Sequence, residues 1–99
     1  APGNHARRVD KALTLGADAV ILPTAPILPP HAKRLMTDDA YYVAENLLAL
    51  RNTRIANLLG LCAITLPAGE PSCGISLMGS ANGEARLLRL AAAAESALG

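Results

Sequence analysis

The chain has 99 residues, 52% of them hydrophobic but only 2% aromatic, with neither Trp nor Phe. One domain is the expected size, its packing falls to Ala, Leu, Ile and Val, and so few large rings imply that part of the core lies in other polypeptide. Nine basic and eight acidic residues leave a formal charge of +1, which excludes a field strong enough to recruit nucleic acid or an anionic membrane.

No stretch reaches the roughly 18 apolar residues that span a bilayer, and no signal-peptide layout is present. The first residue is Ala rather than Met, which fits an expression remnant or a proteolytic fragment better than a natural start. Cys62 and Cys73 are expected as two reduced thiols in a reducing, cytoplasmic compartment, because a hairpin between them sets Cys62 against the region of Met78.

In chain order, the first predicted helix runs from about Asn4 to Leu15. Asn4 can cap it, Val9, Ala12 and Leu13 share a face, and Gly16 ends it. Asp18 leads into Ala19-Val20-Ile21-Leu22, an unbroken apolar run that predicts a strand covered on both faces, as in a parallel sheet. Pro23, Pro26, Pro29 and Pro30 then impose extended or turn geometry and stop the strand near Leu22 or Thr24.

A long helix is predicted from Thr37 or Asp39 to about Leu59, with Val43, Leu47, Leu50, Ile55 and Leu58 at helical spacing and a break possible near Asn52-Thr53. Thr37 is the expected cap, Asp38 and Asp39 favour the positive end of the helix dipole, and Gly60 is the left-handed stop. The runs "LCAITLP" and "CGISLMG" read as two short strands joined by an antiparallel hairpin. A last helix begins near Asn82, with Leu87, Leu88, Ala91 and Ala94 inward and Arg86, Arg89 and Glu95 outward. The order is therefore α-β-α-β-β-α, an α/β arrangement with a mixed sheet in which strand one, long helix and strand two form a crossover, and with two unpaired edges.

Chemistry is sparse. His5 and His31 are far apart and have no Cys or carboxylate at metal-ligand spacing, so both read as surface residues. "AGEPSCGIS" has glycines around Ser72 but lacks the Lys-Ser/Thr ending of a phosphate loop and leads into a strand, which makes it a turn. Cys73 has no neighbouring His to activate it. Lys11 and Lys33 sit in polar surroundings, unlike a desolvated catalytic amine. Asp38 and Asp39 diverge by roughly 100° on a helix, so they cap rather than form an acid/base pair. Asn57 near the end of the long helix can close its own turn or reach towards the neighbouring loop, and reads as structural rather than functional. No catalytic set, metal or cofactor site emerges from the residues.

Three stretches, in order, carry a resemblance: "DAVILPTAPILPP", "NTRIANLLGLCAITLPAG" and "GISLMGSANGEARLLRLAAAAESAL". Together they resemble the C-terminal segment of the amidase signature family. The strand pattern D-x-L-x-x-P-T-x-P falls on Asp18 to Pro26, and the N-L-x-G-x-P-A-x-x-x-P pattern matches at Asn57, Leu58, Gly60, Ala63 and Pro67. The G-x-x-L-x-G strand falls on Gly74, Leu77 and Gly79. Cys62 stands where the family usually has proline, and the "AGEPSCG" hairpin is shorter than usual.

The resemblance implies that residues 1–99 form a single segment, the C-terminal portion of an amidase domain with a layered α/β/α fold. It further implies hydrolysis of a carboxamide through a Ser-Ser-Lys set that lies upstream, so that no catalytic residue falls within this chain and the isolated segment is inactive. Its partners are then the catalytic N-terminal portion and a small-molecule amide. In that arrangement the strand from Asp18 belongs to the central sheet and the segment Pro23 to Pro30 leaves its end beside the substrate cavity, with Thr24 the candidate wall residue. Two alternatives stand beside this: an α/β interaction module that completes its sheet as a homo-oligomer, and a small enzyme using Cys73.

Overall fold

A computed structural model describes residues 4–98, with side chains from residue 6 onward. The expected cap by Asn4 and the placement of the His5 side chain lie outside the described residues. The α/β class holds. Helix α1 spans Asn4–Thr14, strand β1 Val20–Pro23, α2 Ala32–Thr37, α3 Asp39–Leu50, α4 Thr53–Leu59, β2 Cys62–Pro67, β3 Gly74–Gly79 and α5 Glu84–Leu98.

The strands form one sheet in the order β1-β3-β2. Both pairings are antiparallel, with Val20 opposite Met78 and Cys62 opposite Gly79 at one end. The mixed sheet expected from the sequence is thus replaced, among the described residues, by antiparallel neighbours. Strands β1 and β2 do run the same way, but β3 lies between them, so the helical crossover skips a strand. The antiparallel β2–β3 hairpin is as expected, with Cys62 one position away from Met78 in register. Both cysteines are free thiols.

Successive strand residues point to opposite faces, and β3 therefore splits the core in two. Met78, 1% exposed, packs with Ala6 and Val9 of α1 and Ile55 and Ala56 of α4, joined by Val20 and Leu22 of β1. Leu77 packs instead with Leu66 of β2 and Leu87 and Ala91 of α5. Each face is only half covered. On the α5 side the β1 residue Ile21 remains 64% exposed, and on the α1/α4 side Ala63 and Thr65 of β2 are exposed. Among the described residues strand one is therefore not covered on both faces, contrary to the expectation from the sequence.

The long helix is two helices. The break anticipated near Asn52 is real, and Gly60 ends α4 in the left-handed conformation at φ 65° with ψ 37°, a backbone state that costs glycine least. Asp38, not Thr37, caps α3, its carboxylate accepting from the Tyr41 amide at 3.0 Å. Thr37 instead closes α2 by donating to the Lys33 carbonyl. On α5 the inward residues are Leu87, Ala91 and the half-buried Leu90 and Ala94, whereas Leu88 points outward, 59% exposed. Leu88 lies about 100° around the helix from Leu87, off the stripe that Leu87, Leu90, Ala91 and Ala94 share. Among the described residues no helix is long and apolar enough to cross a membrane.

Candidate functional site

Where β1 ends, the chain assembles polar groups that the rest of the sheet lacks. Ser76, in the middle of the central strand and 3% exposed, lies opposite Leu22 of β1 and Thr65 of β2. Its hydroxyl shares hydrogen bonds with the Thr24 hydroxyl at 2.8 Å and the Thr65 hydroxyl at 3.1 Å. A hydroxyl both donates and accepts, so a row of three satisfies itself without a backbone partner. The Thr24 amide also donates to the Gly74 carbonyl at 3.0 Å, extending the β1–β3 ladder by one rung.

Gly74 leaves room for this row. A Cβ there would meet Thr24 Oγ1 and Thr65 Cγ2, each at 3.2 Å, so only glycine lets the two threonines close over the strand without displacement. Thr24 itself is half-buried, its hydroxyl bonded to a neighbouring strand rather than to its own turn.

A second polar anchor holds the strand end from the helical side. Asn52, 4% exposed at the α3–α4 break, donates from Nδ2 to the Pro23 carbonyl at 2.8 Å. Proline cannot extend the ladder through its own nitrogen, and this bond fixes where the proline segment departs. Asn52 Oδ1 in turn accepts from Arg51 Nε at 3.4 Å.

Between the proline segment and the β2–β3 turn lies a hollow of about 440 Å³, lined by Pro23, Ala25, Pro26, Ile27, Leu28, Arg51, Ser72, Cys73 and Gly74. That volume falls in the range of small-molecule sites. Thr24, the wall residue expected from the sequence, is not among these lining residues, although its chain neighbours Pro23 and Ala25 are. The turn that forms the far wall has Pro71 followed by Ser72 at φ 63°, and the Cys73 amide donates to the Glu70 carbonyl, the signature of a type II turn.

The other residues weighed from the sequence are dispersed. His31, Lys33 and Lys11 are exposed, as is Asn57 on α4, whereas Asn52 five residues earlier is buried. Among the described residues no group of three or more His, Cys, Asp or Glu is placed to hold a metal, and no lysine or histidine is hydrogen-bonded to a serine hydroxyl. Sequence reasoning missed Ser76, Asn52 and Arg51. The signal for Ser76 was present: it is the one polar residue inside the apolar run of β3, and a polar residue at a central-strand position needs a partner.

Comparison with known proteins locates the chain. Residues 3–88 match the protein family described as Amidase. Over 86 residues the chain is 40% identical to 2-amino-5-chloromuconic acid deaminase of Comamonas testosteroni, covering 83% of this chain and 18% of that protein. Over 81 residues it is 38% identical to a glutamyl-tRNA(Gln) amidotransferase subunit of Halobacterium salinarum, covering 79% and 18% respectively. Fatty acid amide hydrolase of Oryza sativa subsp. indica is 38% identical over 84 residues, 79% of this chain and 14% of that protein. The chain thus spans less than a fifth of the length of these curated relatives, and no solved structure matches it significantly.

Proposed function

The chain belongs to the Amidase family, and we propose that residues 1–99 act as one segment, the C-terminal portion of an enzyme that hydrolyses carboxamide C–N bonds. In this reading the segment contributes outer strands to a larger layered sheet and one wall of the substrate cavity. The serine nucleophile, the second serine that relays its proton and the lysine base are carried by polypeptide N-terminal to this segment. Such a set works because a neutral lysine accepts the proton as the serine oxygen attacks the carbonyl, while backbone amides stabilise the oxyanion.

The observation that carries the reading is the half-covered sheet. The end of β1 and the hollow beside it are fixed by Ser76 and Asn52, yet the strand edges and the opposite half-faces remain open to further polypeptide. The names of the relatives, which include an amidotransferase and an amide hydrolase, support amide chemistry. Pro23 and the run from Ala25 to Leu28 form the near wall, and the Thr24 hydroxyl holds the strand end to Ser76. The segment alone is inactive, uses no cofactor, binds neither nucleic acid nor membrane, and works in the cytoplasm with both thiols reduced.

The same open edges favour a second reading, a module that closes its sheet against another copy. A chimaera separates the two: the Comamonas testosteroni deaminase with its matched residues replaced by residues of this chain, assayed for ammonia release from its own substrate. Retained release is expected. A chimaera that folds, melts cooperatively and releases no ammonia contradicts the amidase reading.

A further inference from the structure

The walls of the strand-end hollow are apolar along the proline segment, from Pro23 through Ala25, Pro26, Ile27 and Leu28, and one cationic group lines it, the Arg51 guanidinium. Among the described residues the ion pairs join Arg34 to Asp38 and Arg86 to Asp18, and none engages Arg51. Among the described residues no acidic side chain lines the hollow. Arg51 is also oriented: its Nε donates to Asn52 Oδ1, and Asn52 is itself held by the Pro23 carbonyl. One guanidinium edge is thus engaged with the scaffold, leaving the terminal amino groups to a ligand. A guanidinium presents paired donors that match the two oxygens of a carboxylate.

We propose that this hollow binds a small organic acid, its carboxylate paired with Arg51 and its carbon chain against Pro26, Ile27 and Leu28. This deepens the amidase reading, on which it rests only for the amide end of the ligand: the substrate is an amide that also bears a carboxylate. The recognition itself rests on the charge and shape of the hollow.

Cys73 lines the same hollow and is exposed, whereas Cys62 is half-buried on β2 and donates to the Ser80 carbonyl. The two thiols are therefore reporters inside and outside the site. Alkylation of each by iodoacetamide is followed by mass spectrometry on the dilute chain, with succinamate or the uncharged butanamide titrated through the millimolar range. Succinamate at about twice its Kd is expected to slow alkylation of Cys73 about threefold, since only the free site reacts, and to leave Cys62 unaffected. Butanamide should protect far less, Arg51→Gln should abolish the protection, and Arg51→Lys should keep part of it.

No slowing at Cys73, equal slowing by butanamide, or protection that survives Arg51→Gln overturns the proposal. An unchanged Cys62 rate in the variants verifies that they are folded. Protection in this assay together with an inactive chimaera would overturn the amidase reading and leave the carboxylate site standing.

Discussion

Ser76 illustrates how one side chain organises the strand end. Its hydroxyl is buried and serves both threonines, so Ser76→Ala leaves the half-buried Thr24 hydroxyl without its partner and is expected to cost about 1–2 kcal/mol in urea unfolding. A change below a few tenths would mean that the row is incidental. Ser72→Gly should act oppositely, because Ser72 sits at positive φ in the turn, and the substitution is expected to stabilise by about 0.5–1 kcal/mol. The proline pattern made Thr24 legible in the sequence, but what Thr24 touches was not, since Ser76 lies 52 residues away and no local rule couples them. Asn52 was legible only as a break in helical periodicity. Its bond to Pro23 follows from a tertiary approach that spacing alone does not encode.

Among the elements, α3 and α5 contrast most. Helix α5 buries Leu87 and Ala91, whereas α3 buries no residue among those described. Leu87→Ala should therefore destabilise the chain by about 2–5 kcal/mol, while Leu47→Ala, at a position 51% exposed, should stay within about 0.5 kcal/mol. Chemical unfolding of the two variants side by side checks this, and a large cost at Leu47 would reveal packing on α3 absent from this fold. Where backbone chemistry is local, the reading from sequence was accurate: Gly60 stops α4, and the two apolar runs form a hairpin. Where phase decides, it slipped. Asp38 outcompetes Thr37 as cap because it immediately precedes α3, and α2 escaped notice because six residues hold too little periodicity to register.

At the scale of the whole molecule the chain is open. Its Cα radius of gyration is 15.0 Å, against about 13 Å for a compact domain of this length. Its accessible surface is 6723 Å², where a compact monomer of its mass exposes about 5,300 Å². The excess matches apolar residues left uncovered on α3, on β1 at Ile21 and on α5 at Leu88. Low aromatic content pointed to this shortfall, although the sequence did not reveal that each sheet face would be half covered. The most direct test is the molar mass of the purified chain by light scattering after size exclusion, followed by its thermal melt. Species heavier than the 10.2 kDa monomer, with a broad melt, are expected if the open sheet edges meet more polypeptide, as proposed. A monomer at every concentration with a sharp cooperative melt would contradict that, because the segment would then bury its core unaided.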